Sequence, residues 1–230
     1  MREPIVLSWS GGKDSSLALA ALRADSAVEV VGLLTSVTRD YERISIHGVR
    51  RTLLEAQARA LGLPLFEVAL QPACSNADYE AAFRTASLEL RARFPALARI
   101  AFGDLFLSDV RAYRETLLAS VGLEAYFPLW ALDTRSLAER FVTLGYRARL
   151  VCVDTTQLAP SFAGRPFDAT LLADLPASAD PCGERGEFHT FVSDGPIFSA
   201  PVPYLTGEVV IRDERFAYCD LLDDRSGLSP

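Results

Sequence analysis

Hydrophobic and polar positions follow two rhythms along the first two-thirds of this chain. Short apolar runs, partly β-branched, at residues 5–9, 28–37, 65–70, 99–102 and 148–153 predict strands. Between them, apolar positions return every three or four residues, which predicts helices beginning near residue 17 and over 49–61, 77–94, 110–121 and 136–144. The punctuation agrees: Gly62, Gly122 and Gly145 follow three of these helices, Asn76 or Asp78 opens another and Pro95 stops it. Such alternation implies the α/β class, with a parallel sheet covered on both faces. In sheets of this kind ligands bind at the carboxyl ends of the strands, near the reversal in strand order. The loop after the first strand and Gly103-Asp104 after the fourth both lie at such ends. Beyond about residue 154 the pattern changes. Prolines become frequent, helical spacing persists only at 167–175, and strands are predicted at 187–192, 208–211 and 215–221. The expected division is a sheet domain over 1–154 and a smaller α+β domain over 155–230.

Composition narrows the function classes. Half of the 230 residues are apolar, enough for a sizeable core. A formal charge of −7 argues against a general nucleic-acid binder, which needs a basic surface. Cys74, Cys152, Cys182 and Cys219 are too scattered for a C-x-x-C or a zinc site and are expected as reduced thiols. The N-terminus runs straight into a strand, no leader is expected, and no apolar run approaches the ~20 residues that span a bilayer. The expectation is a cytoplasmic protein.

The chain contains a single lysine, Lys13, in Ser10-Gly11-Gly12-Lys13-Asp14-Ser15-Ser16; every other basic side chain is arginine. A chain so committed to arginine keeps a lysine where a compact, mobile ammonium is needed in place of a planar guanidinium. Strand, glycine turn and helix N-terminus together make an anion site, with hydroxyls from Ser8, Ser10, Ser15 and Ser16 clustered on it. The spacing is neither G-x-x-x-x-G-K-[ST] nor G-x-G-x-x-G. A second polar stretch is Asp180-Pro181-Cys182-Gly183-Glu184-Arg185-Gly186-Glu187-Phe188-His189-Thr190. Its Glu184 and Glu187 are suited to hold a metal, bind ammonium or act as a general base, with His189 orienting them or taking a proton. Solvated charges on a turn are the plain alternative.

Ser10 to Ser15 resembles the S-G-G-x-D-S loop of the PP-loop ATP pyrophosphatases. Residues 183–190 resemble the G-E-x-G-E-[FY]-H-T motif of one branch, the diphthine–ammonia ligase-like proteins; Gly103-Asp104, Arg111-x-x-Arg114 and Pro128-Leu129-Trp130 are similar too. The resemblance implies a HUP/Rossmann-like nucleotide-binding domain followed by a smaller domain carrying the Glu/His motif. It also implies an ATP-dependent ligase: a carboxylate is adenylated, pyrophosphate leaves, and ammonia displaces AMP. Gly11 and Gly12 would give the triphosphate backbone donors, Ser10 and Ser15 hydroxyls, and Lys13 charge. Asp14, which could instead start the helix, and Asp104 would hold Mg²⁺, and Gly103 would belong to the nucleotide site. Glu184, Glu187 and His189 would serve the amidation.

Four further residues are candidates for the substrate. His47 sits in a strand-end loop, Arg111 and Arg114 lie one helical turn apart and suit an anion, and Trp130 can wall a pocket. Arg50-Arg51 at a helix start invites an anion as well, whereas Asp220, Asp223 and Asp224 read as a solvated tail. Cys182 lacks the cationic neighbours a nucleophile needs. The expected partners are a carboxylate substrate and free ammonia, with ATP and Mg²⁺, no membrane, and a homodimer left open. Two competitors are a tRNA-modifying sulfurtransferase, which would need a cysteine pair and a basic face, and a non-catalytic adenine-nucleotide-binding regulator.

Overall fold

A computed structural model describes residues 2–38, 43–44 and 48–224. The chain divides into two compact units, one of Met1–Ser10, Asp14–Ser45 and Leu63–Leu132, the other of Gly11–Lys13, Ile46–Gly62 and Asp133–Pro230.

The first unit begins with β1 (Glu3–Ser8), whose Ile5, Val6 and Leu7 are wholly buried, and continues through α1 (Lys13–Ala24), β2 (Val28–Thr38) and the two-residue β3 (Arg43–Ile44). The next helix, α2 (Arg51–Leu61), belongs to the second unit. Then come β4 (Leu65–Leu70), α3 (Asn76–Arg93), β5 (Arg99–Ala101), α4 (Ser108–Ala119) and β6 (Glu124–Tyr126). Five strands form a parallel ladder in the order β4-β2-β1-β5-β6, and β3 adds antiparallel to the end of β2. The chain therefore runs outward from β1 through β2 to β4, then returns to lay β5 against the other side of β1. That reversal puts the carboxyl ends of β1 and β5 side by side, with Leu7 opposite Ala101.

This is the Rossmann-like α/β sheet the periodicity predicts. One face is sealed by Val6, Leu34, Val68 and Ile100 against Phe83 and Leu90 of α3 and Leu117 and Leu118 of α4. The start of α3 differs by a residue or more from expectation. Ser75 is the cap: its hydroxyl accepts from Asp78 N–H (3.2 Å), and the Asp78 carboxylate accepts from Ser75 N–H (3.0 Å). β6 was not anticipated. Three residues beginning with an exposed glutamate carry no period, and only pairing with β5 makes them a strand.

The second unit adds α5 (Thr134–Thr143), β7 (Arg147–Asp154), a 3-10 turn at Pro160–Phe162, α6 (Ala169–Asp174), β8 (Phe188–Asp194), β9 (Tyr204–Arg212) and β10 (Phe216–Asp223). Its sheet is antiparallel, in the order β8-β7-β10-β9. β7, expected to continue the parallel sheet, is thus an inner strand of this second one. A run buried on both faces, as Leu150-Val151-Cys152-Val153 is, does not reveal which sheet receives it. Asp220, expected in a solvated tail, lies in β10 and pairs with Arg50 at 2.7 Å. Among the described residues no helix is long and apolar enough to cross a membrane.

An aromatic cluster ties this unit together. Phe141 stacks on Tyr146 (4.7 Å between centroids) and meets Phe167 edge-on (5.5 Å), which in turn lies 6.1 Å from Phe188. Phe141 is fully buried, so Phe141→Ala should cost about 3–5 kcal/mol of stability in urea unfolding. A loss below about 1 kcal/mol would show that the cluster is not what holds the unit.

Candidate active site

In the first unit the chain leaves β1 at Ser8, and the Ser10 hydroxyl donates to that of Ser15 (3.2 Å), while Ser15 and Ser16 are buried. Gly103, just past β5, lies against the first turn of α1. A Cβ there would sit 2.9 Å from the carbonyl carbon of Asp14 and 3.1 Å from Ser15 N, too close to backbone for any side chain. Gly103 is therefore the residue that lets the two neighbouring strand ends meet. Beside it the Asp104 carboxylate takes both arms of Arg114, at 2.6 and 3.1 Å. Arg111 pairs with Glu115 (2.7 Å) and lies 4.8 Å over the Trp130 ring. The two arginines are therefore docked on carboxylates and aromatic rings within this unit, more held than solvated side chains would be.

In the second unit, residues 11–13 are secured by β8 and α2. The Gly11 carbonyl accepts from Val192 N–H (2.9 Å) and from Gln57 Nε2 (3.0 Å), and the same Gln57 amide donates to the Val192 carbonyl (2.6 Å). Gly11 has φ 77°, and a Cβ on it would strike Gln57 Oε1 at 2.8 Å and Leu54 at 2.9 Å. Lys13 N–H donates to the Thr190 hydroxyl (3.0 Å). The lysine side chain is 2% exposed, its Nζ donates to the carbonyl of Cys182, and the rings of Phe188 and Phe167 lie 5.7 and 5.9 Å away.

The turn that presents the Cys182 carbonyl is built around two carboxylates. Asp180 accepts from Cys182 N–H (2.9 Å), Glu184 N–H (3.3 Å) and the Thr134 hydroxyl (2.7 Å). Glu187, 1% exposed, accepts from Asp180 N–H (2.7 Å) and Arg185 N–H (3.0 Å), one bond on each oxygen. Glu187 and Asp180 thus shape the turn, and Glu184 is the glutamate of the motif with exposed surface. Burial, with help from the Lys13 charge, holds the His189 imidazole down at about 4, so it is neutral at pH 7. None of the four cysteines is in a disulfide, and the Cys182 thiol is buried with its sulfur 3.2 Å from the Thr134 carbonyl.

Sequence reasoning missed Gln57, Asp180 and the bond made by Thr190. Gln57 left a trace: it shares the buried stripe Leu53, Leu54, Ala58 and Leu61, where a polar side chain must find partners. Thr190 sits inside the second motif and could have been suspected. Asp180 carries no local signal. His47 lies outside the described residues. Arg50 and Arg51 find their anions within the chain, on Asp220 and Glu55. Among the described residues, no three or more His, Cys, Asp or Glu side chains gather as a metal site.

Comparison with known proteins gives two family matches. Residues 2–125 match the diphthamide synthase N-terminal domain, and residues 133–217 match the diphthamide synthase C-terminal domain. The chain is also 26% identical over 218 residues to the diphthine–ammonia ligase of Schizosaccharomyces pombe, an overlap of 87% of this chain and 36% of that protein. It thus spans about a third of the length of that curated relative.

With only two histidines in the chain, a His47→Gln variant leaves His189 as the one ring that NMR follows. It should titrate near 4, and Lys13→Met should raise that value; titration near 6.5 would contradict the buried, lysine-facing placement. The folded value lies below the unfolded one, so the contribution of His189 to stability is full above pH 6.5. That contribution, up to about 3 kcal/mol, should be lost as pH falls from 6.5 through 4, a slope that His189→Gln should flatten.

Proposed function

The chain belongs to the diphthamide synthase family, and from that premise we propose that it is an ATP-dependent ligase that adenylates a carboxylate and amidates it with ammonia. The name of the fission-yeast relative, a diphthine–ammonia ligase, supports ammonia as the nitrogen donor.

The observation that carries this reading is the fixing of Lys13. The chain's one lysine is buried at a helix start, its backbone bonded to Thr190 and its ammonium to the Cys182 carbonyl. An ammonium placed there brings a compact positive charge to phosphate oxygens at the helix start. We assign the triphosphate to Ser10, Gly11, Gly12, Lys13 and Ser15, with Gly103 keeping the neighbouring loop close to the helix start. Mg²⁺ would screen the phosphate charge, held by one or two carboxylates as is usual for that ion. Asp14 is the first of these. Asp104 would join only by releasing Arg114.

The reaction balances simply. A carboxylate oxygen attacks the α-phosphorus of ATP, the bond from that phosphorus to the bridging oxygen breaks, and pyrophosphate leaves with the electron pair. Ammonia attacks the carbonyl carbon of the resulting acyl adenylate, the bond from that carbon to the AMP oxygen breaks, and one proton passes to a base. Glu184 is assigned as that base. Glu187 holds the turn that positions it, and His189, neutral at pH 7, serves as a hydrogen-bonding partner. Arg111, Arg114, Trp130 and His47 are assigned to the carboxylate substrate.

Purified protein with labelled ATP, Mg²⁺, ammonium and a small-molecule extract should form AMP and pyrophosphate in an ammonium-dependent way; ADP and phosphate would refute the reading. Lys13→Arg should lower that turnover at least about tenfold, because a rigid fork replaces a compact charge. Glu184→Gln should slow amide formation about a hundredfold while ATP–pyrophosphate exchange persists, and equal loss of both would remove Glu184 from the base role.

A further inference from the structure

A cleft of about 430 Å³ opens in the second unit on residues the ligase reading does not use. Its walls include Tyr146, Arg147, Arg149, Phe167, Ser193 and Tyr204. Arg147 and Arg149 are two apart on β7 and project from one face of the sheet. Opposite them β8 carries a bulge: Val192 pairs with Ala148 and Asp194 with Arg147, so Ser193 is the extra residue, placed at the cleft.

The charges here are poorly neutralised. Arg149 donates through Nε to the Tyr204 hydroxyl (3.1 Å) and through Nη1 to the Gly164 carbonyl, and among the described residues it meets no carboxylate. Arg147, its side chain 80% exposed, has Asp194 at 3.9 Å as its one ion-pair partner among the described residues. The acid among the lining residues, Asp168, caps α6, where it accepts from Leu171 N–H (2.8 Å). Two guanidinium groups above aromatic walls, in a space of ligand size, match a flat molecule with a carboxylate or phosphate at its edge.

We propose that this cleft binds a small planar anion, an aromatic carboxylate or aryl phosphate, its charge on Arg147 and Arg149 and its ring against Tyr146, Phe167 and Tyr204. Phe167 faces Lys13 as well, so the bound ring shares a wall with the phosphate loop. The assignment stands or falls independently of the ligase chemistry.

The test is calorimetric titration of the full chain with benzoate and with phenyl phosphate, beside benzyl alcohol as a neutral analogue, at low salt. At least one anion should bind with a millimolar or tighter Kd and at least about tenfold better than the alcohol. Benzoate alone would identify a carboxylate ligand, phenyl phosphate alone a phosphate one. Arg147→Gln, on an exposed side chain, should weaken binding about fivefold, and Arg149→Gln, checked for folding by thermal melting, should abolish it. Equal binding of the alcohol, no binding of either anion at 10 mM (roughly the weakest useful affinity), or indifference to Arg147→Gln would overturn the proposal.

Discussion

The chemistry proposed for this protein depends on how a three-residue turn is held. Gly11, Gly12 and Lys13 follow β1, yet their hydrogen bonds run to β8 and α2 of the second unit: Gly11 to Val192 and Gln57, Lys13 to Thr190. A glycine turn left to itself samples many conformations, which is the entropic cost of using glycine at all. Three hydrogen bonds to buried partners offset that cost and leave the turn with one shape. The stretch at residues 180–190 therefore has a structural duty beside any chemical one, since Thr190 and the Cys182 carbonyl are the groups that fix the lysine.

Its carboxylates divide the work. Asp180 and Glu187 accept four hydrogen bonds from backbone N–H groups of the turn that carries them and a fifth from the Thr134 hydroxyl of α5. Buried carboxylates satisfied in that way order a loop. Glu184, half-exposed, is the glutamate proposed as the base, and His189 is kept neutral by its surroundings.

Much of the fold was legible in the sequence because its signals are local. Val28–Thr38 and Leu65–Leu70 are buried or half-buried apolar runs, and α2 ends in a left-handed Gly62 as its glycine suggested. What stayed hidden depended on pairing. The three residues of β6 and the sheet to which β7 belongs are settled by partners far along the chain. The candidate site divides similarly. Lys13 was conspicuous by composition and Glu184, Glu187 and His189 by their motif, whereas Gln57, Asp180 and the pairing of Arg114 with Asp104 emerge only from three-dimensional contacts.

The central claim is that β8 holds the phosphate turn through Thr190, and nucleotide affinity measures it directly. Thr190→Val keeps the shape of the side chain and removes the acceptor of Lys13 N–H. ATP and AMP binding would be titrated for both proteins, with circular dichroism confirming the fold. The account predicts that the variant loses about tenfold in ATP affinity, the cost of a buried N–H left without a partner, while AMP affinity holds. Unchanged ATP affinity, or an equal loss for AMP, would contradict it.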